Sequence, residues 1–570
     1  MKRSIAALLL LAVPIRARPL LGVEFTSVPP ATCNLIPSSQ GGWTVAAASG
    51  GRPSLLRRDG DRPAAVDADG WPTEDSFIIP FISAPDAADP LQFVPPEIFG
   101  EYRLSFSGRA ALQLAPQINA SLSNIVFDPG TWTTTATLTL RPPVAGLGLG
   151  FASTQRAAGA AAGSGVTRVR LLQPGSPAGC ALFTPAAVAA VAPFSHARFM
   201  TWTSGDYIVG YANASAGVGV AVEWADRTLP TDALWIPGSA RPRSFGAPWE
   251  TVVALSQAAS VGVWVNVPAQ ATDDYVERLA TLLRDGSAAT GGAGVPAGLP
   301  IYIEHANEVW LNGSAAANGG PSAAYLYNRA MAAAEVAANA SSVLNSDGVN
   351  DPETWGYRRH LRRVVSIGAI FARVFGAGSL PARVRPVLGW VQTFQRELAG
   401  LAAWYLSALA PSAGPLPGAI YGAAVNAYAV AGVLPGATEA DIVAAVAAQS
   451  DAARPTRAAI AAVAAGAGLR LMTYEGSLVC IPLGRDDATT GAIIAANRGA
   501  AWGAAMVRDY AVNWRPVAGD GEYNYFALAS QYGEDLPVPR YQWGLTEDVF
   551  VTNTSKFNAV RSLLAGSEQK

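Results

Sequence analysis

Ile301-Tyr302-Ile303-Glu304-His305-Ala306-Asn307-Glu308-Val309-Trp310 reads as a barrel strand that ends on a carboxylate. Three β-type residues follow the turn Gly298-Leu299-Pro300, which predicts a buried parallel strand, and the polar cluster falls where that strand should stop. In a (β/α)8 barrel the carboxyl-terminal ends of the strands carry the chemistry. Asparagine directly before glutamate lets one side chain hold a hydroxyl while the next offers a proton, the combination that acid-assisted glycoside cleavage needs.

A second strand end of the same kind is Leu469-Arg470-Leu471-Met472-Thr473-Tyr474-Glu475-Gly476-Ser477, again a short apolar run closing on a carboxylate. The interval between Glu308 and Glu475 is about four βα units of a typical barrel.

Working outward, apolar strands alternate with longer helical stretches from residue 166 onward, which argues for a parallel sheet. The eight candidate strands are Arg168 to Leu172, Ala197 to Trp202, Val261 to Val267, Ile301 to Ala306, Val384 to Val391, Ala419 to Val425, Leu469 to Tyr474 and Tyr523 to Leu528. Helices are expected between them, among others over Asp273 to Asp285, Glu353 to Phe375 and Thr438 to Gln449. Eight strands favour a closed α/β barrel over an open sheet. The region from 18 to 157 differs: short alternating runs such as Tyr102 to Gly108 and Trp132 to Leu140, set between Gly and Pro turns, indicate a β-rich, sandwich-like subdomain. The expected layout is therefore a leader over 1–17, the β-rich subdomain over 18–157, the barrel over 166–550 and a tail over 551–570.

The 570-residue chain is 50% hydrophobic, carries a net charge of −2 and has only 14% charged residues. That balance gives no electrostatic case for nucleic acid or an anionic membrane surface. Met1-Lys2-Arg3, the apolar run Ile5 to Val13 and Ala17 read as a secretory leader too short to span a bilayer, so no membrane is expected after its removal. Sequons at Asn119, Asn213, Asn312, Asn339 and Asn553 fit a secreted glycoprotein, extracellular or in a cell wall. Cys33, Cys180 and Cys480 allow one disulfide without choosing the pair.

If the barrel is right, residues just past each strand converge on one mouth: Arg198 and Trp202, Asn266, then Asn307, Glu308 and Trp310, Trp390 and Gln392, Asn426 and Tyr428, Tyr474 and Glu475, Asn524 and Trp543. Aromatic faces mixed with amides and a few charges suit a sugar. The three histidines, His196, His305 and His360, show no zinc-ligand spacing, and no Gly-x-Ser-x-Gly elbow or Walker loop occurs, so neither metal nor cofactor is expected. Arg358-Arg359-His360-Leu361-Arg362-Arg363 is most simply a solvated helix face.

Taken together, Glu304 to Trp310 and Tyr474-Glu475-Gly476 resemble the acid/base and nucleophile strand ends of the clan A retaining glycoside hydrolases. Asp69-Gly70-Trp71-Pro72, Arg170 to Gly175, Arg198 to Trp202, Trp264 to Pro268 and Trp543-Gly544-Leu545 extend the resemblance toward secreted cellulase-like or "cellulose-binding" proteins of that clan. The resemblance implies a (β/α)8 fold, a β-linked polysaccharide or oligosaccharide as substrate, and a monomer. It makes Glu308 the general acid/base and Glu475 the nucleophile, has Asn307 bind a sugar 2-hydroxyl, has Arg198 keep the nucleophile ionised, and has Tyr428 or Tyr474 touch it. Trp202, Asn266, Trp310 and Trp543 complete the expected sugar contacts. Leu311, Gln270 and Ser477 depart from the family pattern, which leaves a second reading, a carbohydrate-binding protein on a barrel whose catalysis has decayed.

Overall fold

Eight parallel strands close on themselves in the computed structural model: β1 Leu21–Glu24, β2 His196–Arg198, β3 Gly262–Val267, β4 Ile301–His305, β5 Val384–Val391, β6 Gly422–Asn426, β7 Arg470–Gly476 and β8 Tyr523–Tyr525. The structure describes residues 20–26, 31–39, 41–45, 62–82, 95–115, 118–142, 146–177, 179–180, 182–210, 220–239, 241–314, 320–376, 378–484, 486–532 and 542–566. The expected leader lies outside the described residues. Every residue of β3 and β4 is buried, because a parallel sheet wrapped by helices leaves neither face to water. The outer helices follow the same logic. The helix Asp273–Asp285 is capped by Thr272, buries Tyr275, Val276, Leu279 and Leu283, and turns Glu277 and Arg278 outward.

The fold is thus the expected (β/α)8 barrel with a β-rich subdomain near its amino terminus, but its first strand is Leu21–Glu24. Arg168 to Leu172, expected to open the barrel, lies in the strand Thr167–Leu172 of a four-stranded antiparallel sheet with Gly100–Ser107, Thr133–Leu140 and Ala120–Asp128. A five-stranded antiparallel sheet accompanies it, ordered Arg62–Pro63, Thr44–Val45, Ser76–Ile82, Gly146–Gln155 and Arg109–Leu114. The two sheets share a core of their own, including Trp43, Phe81, Leu104, Phe106, Leu138 and Phe151, separate from that of the barrel. The β-rich unit is therefore an excursion between β1 and β2. Its neck is closed by a Cys33–Cys180 disulfide and by pairing of Thr32 with Phe183, while Cys480 is free and buried. Within the expected tail, Ser555–Leu564 is a helix whose Phe557 packs edge-on against Phe194.

The arginine cluster differs from expectation as well. Arg358 is buried against Asp347, Arg359 donates to Asn328, and Arg362 and Arg363 pair with Glu335 and Asp273, so the face packs on neighbouring helices rather than on water. His360 from the same helix is fully inside.

Behind β6 and β7 a second buried ion pair braces the barrel. Arg457 lies in the helix Glu439–Gly466 and donates to Asp509 at 2.7 Å and to the Ala427 carbonyl at 2.9 Å. Asp509 opens a π-helical turn over Asp509–Trp514 and also accepts from Ser450 and Tyr523. Asp509→Ala would strand a guanidinium with no water to solvate it. It should cost about 3–5 kcal/mol, read as a lower urea midpoint with an unchanged slope.

Candidate active site

Where β4 ends, the backbone turns sharply. Ala306 and Glu308 both adopt positive φ, at 56° and 50°, a conformation non-glycine residues hold only when their surroundings enforce it. The enforcement is visible: Ala306 N–H donates to the Val267 carbonyl at 2.7 Å, Ser322 Oγ to the Glu308 carbonyl at 2.8 Å, and Leu311 N–H to the same carbonyl at 3.0 Å. The strain aims the Asn307 and Glu308 side chains at the barrel mouth, where both are only partly buried.

At the centre lies Arg198, the last residue of β2 and wholly buried. Its Nε donates to Glu304 Oε2 at 3.1 Å, its Nη1 to Glu24 Oε2 at 3.1 Å and to Glu475 Oε1 at 2.7 Å, and its Nη2 to Asn307 Oδ1 at 2.8 Å. The register explains the gathering: Glu24 lies opposite Arg198, Arg198 opposite Trp264, and Asn266 opposite Glu304. Glu304 Oε2 also accepts from Trp264 Nε1 and Asn266 Nδ2, each at 2.9 Å. Burial alone would favour a neutral Arg198, but the carboxylates of Glu304, Glu24 and Glu475 outweigh it and hold the guanidinium firmly charged.

The carboxyl groups end up in different environments. Glu475 receives Arg198 on one oxygen at 2.7 Å and the Tyr428 hydroxyl on the other at 2.8 Å, two donors that fix its orientation. Among the described residues the Glu308 carboxyl has no cation bonded to it and accepts from the Tyr474 hydroxyl at 3.0 Å. Burial first, then the charge of Glu475, push its pKa up to about 7, against the opposing pull of Tyr474. Burial also raises Glu24, to about 8, against the pull of Arg198 and of the Thr201 N–H that donates to its other oxygen. Tyr428 and Tyr474 are raised well above the usual phenol range by burial and the adjacent carboxylates, which keeps both as donors.

Of the residues anticipated at the mouth, Arg198, Asn266, Asn307, Glu308, Tyr428, Tyr474 and Glu475 come together here. Asn307 has its Oδ1 taken by Arg198, which leaves its Nδ2 to donate to a ligand. Trp202 and Trp310 do not present faces: Trp202 packs on Phe25 and Phe183 with its indole N–H given to Thr251, and Trp310 is 1% exposed within the core. Trp390 is likewise internal, its N–H bonded to the Phe394 carbonyl. Trp543 is half-buried beside Phe526, which in turn packs on Tyr428, so it stands at the rim. Gln270 clamps a loop, accepting from Val209 N–H and donating to its carbonyl.

Glu24 and Glu304 were not singled out as site residues from sequence. Glu304 had a signal, since it points to the same side of β4 as Tyr302 and falls two residues before the strand's polar end; Glu24 had none, because β1 itself was unrecognised. A further buried carboxylate, Glu522, belongs to the opposite end of the barrel, where it accepts from Tyr302 and Tyr421 at 2.8 and 2.7 Å and faces Arg385. The histidines do not converge: His196 packs at a tilt against Trp264 and Tyr302, and His305 pairs with His360 through their Nδ1 atoms. Among the described residues no group of three or more His, Cys, Asp or Glu is disposed to hold a metal.

No protein-family model matches the chain, and no curated protein matches it in sequence. Among solved structures it is similar to a GH51 arabinofuranosidase from Xanthomonas axonopodis pv. citri, with 10% identity, a TM-score of 0.32 and 62% of each chain covered. It is also similar to a 4-O-α-L-rhamnosyl-β-D-glucuronidase from Fusarium oxysporum 12S, with 11% identity, a TM-score of 0.30 and 56% of this chain matched to 52% of that one. An endo-β-1,4-mannanase from Thermotoga petrophila matches at 9% identity with a TM-score of 0.29, over 67% of this chain and 72% of that one. The chain spans less than two thirds of the length of the first two.

Proposed function

We propose that the chain is a retaining glycoside hydrolase that cleaves a β-linked polysaccharide or oligosaccharide through a glycosyl-enzyme intermediate. The observation that carries this is the division of labour between two carboxyl groups at one barrel mouth. Glu475 is bonded to a guanidinium and a phenol, and Glu308 is pushed up to about 7 beside it. In the first step Glu308 protonates the departing glycosidic oxygen while Glu475 attacks the anomeric carbon. Arg198 and Tyr428 hold Glu475 oriented, and Asn307 Nδ2 donates to a ring hydroxyl. In the second step Glu308, now ionised, takes a proton from water, which displaces Glu475. Double displacement of this kind requires carboxyl groups about 5–5.5 Å apart, against about 6.5–9.5 Å for inversion. The test is to screen β-glucan, mannan, xylan and galactan and to follow the first-formed anomer by proton NMR. A β-anomer from a β-linked substrate supports the reading; an α-anomer means inversion, and no hydrolysis of any glycan refutes it.

Export through a glycosylating route fits the same reading, and among the described residues no helix is long and apolar enough to cross a membrane. The sequons then differ in their prospects. Asn312 donates its Nδ2 to Glu353 at 2.8 Å and accepts from Ser314, tying the loop beyond Glu308 to the helix Pro352–Phe375. Its amide nitrogen is already committed, whereas Asn339 and Asn553 are exposed. Peptide mapping by mass spectrometry of protein from a eukaryotic secretory host should find glycan on Asn339 and Asn553 and none on Asn312.

A further inference from the structure

One carboxylate at the mouth has no part in the chemistry above. Asp206 follows the short helix Met200–Thr203 that leaves β2, and the backbone on both sides of it is fixed. Gly205 lies directly on Asn266: a Cβ there would come within 2.6 Å of the Asn266 Cβ. Ile208 is buried in a cluster with Ala269, Ala306 and Val309, whose last two members bracket Asn307 and Glu308. Val209 is held through both backbone groups by Gln270, at 2.8 and 3.2 Å. Residues 205–209 are therefore clamped between the ends of β3 and the strained turn after β4.

Within this rigid segment the Asp206 side chain is exposed. Among the described residues it has no ion-pair or side-chain hydrogen-bond partner; its carboxylate meets its own backbone N–H and feels the charge of Arg198. The surrounding protein disfavours its ionised form all the same, through partial desolvation. A carboxylate that is fixed, partly desolvated and unpaired is left with acceptor capacity for two donors at once.

Resting on the glycosidase reading, we propose that Asp206 is a specificity-determining residue that accepts hydrogen bonds from adjacent hydroxyls of a neutral sugar and discriminates against uronic acids. The charge distribution argues for the second half. Glu24, Glu304 and Glu475 already divide one guanidinium, and every nitrogen of Arg198 is committed to these three or to Asn307. A sugar carboxylate would meet the Glu475 charge and find no uncommitted nitrogen on Arg198, whereas hydroxyls bring the protons this site lacks.

The test compares wild type, Asp206→Ala and Asp206→Asn on aryl β-glucoside, β-mannoside, β-xyloside and β-glucuronide. In parallel, binding of cellohexaose, mannohexaose and xylohexaose is measured by calorimetry in the Glu308→Gln background. Loss of a charge-assisted pair of hydrogen bonds should lower kcat/KM on the preferred neutral glycoside, and affinity for the matching hexaose, by about 10- to 100-fold. The preference over the glucuronide should narrow. Both variants remaining within twofold of wild type in both assays would overturn the proposal, as would a wild-type preference for the glucuronide. If wild type turns over none of the glycosides, the glycosidase reading fails and calorimetry decides alone. Weaker hexaose binding in the Asp206 variants still supports a hydroxyl site, and unchanged or absent binding rejects it.

Discussion

Glu475→Gln should abolish turnover on every substrate, with a loss on the order of 10⁴-fold or more even for an aryl glycoside with an activated leaving group. The amide fills the same space and can still accept from Tyr428, so the loss is of nucleophilicity and not of shape. A good leaving group removes the need for proton donation but not the need for a carboxylate to attack. The variant should remain folded, because Glu24 and Glu304 still surround Arg198 after the Glu475 charge is gone. Near-ultraviolet circular dichroism should therefore match wild type. Stopped-flow measurement with a dinitrophenyl glycoside should find no burst. Near-wild-type activity on that substrate would remove Glu475 from the nucleophile's role.

The parts of this site that sequence conveyed were those in which polarity interrupts an apolar strand. Glu308 and Glu475 stand at the carboxyl ends of β4 and β7, and Asn266 near the end of β3, where an isolated polar residue after a run of Val and Ile has few structural explanations. What sequence could not convey was pairing across the chain. β1 is four residues long and follows an apolar leader-like run, so nothing local separates it from its surroundings, whereas Thr167–Leu172 alternates as well as any barrel strand yet pairs antiparallel to Gly100–Ser107. Glu24 enters the site through that missed strand. The tryptophans misled for a different reason: a large indole just past a strand end serves the hydrophobic core as readily as a sugar platform, and the structure buries Trp202 and Trp310 in that core. The arginines of Arg358 to Arg363 looked solvated because their partners, Asn328, Glu335, Asp347 and Asp273, come from other segments.

Glu308→Gln should separate the two halves of the reaction. With natural glycans, whose alkoxide leaves only when protonated, the loss should be about 10²- to 10⁴-fold, and with a dinitrophenyl glycoside the first step should be far less affected. The second step then limits, because glutamine cannot take a proton from water. Azide needs no such base, so it should restore turnover and yield a β-glycosyl azide, a product wild type makes little of. The pH dependence follows from the same residue. Burial and the charge of Glu475 raise Glu308 to about 7 from 4.5, and the acid is the form that starts the cycle, so kcat/KM should fall as pH rises through about 7. The same shift favours the protonated folded state below about 4.5, and that stabilisation is lost as pH rises through about 7, so Glu308→Gln should flatten stability against pH across that window. Removing the neighbouring charge tests the cause directly: in Glu475→Gln the Glu308 carboxyl, followed by carbon-13 NMR, should titrate lower than in wild type, yet above an exposed glutamate because burial remains. An alkaline limb that survives Glu308→Gln unchanged, or a variant with full activity on a natural glycan and no response to azide, would take the acid/base role away from Glu308.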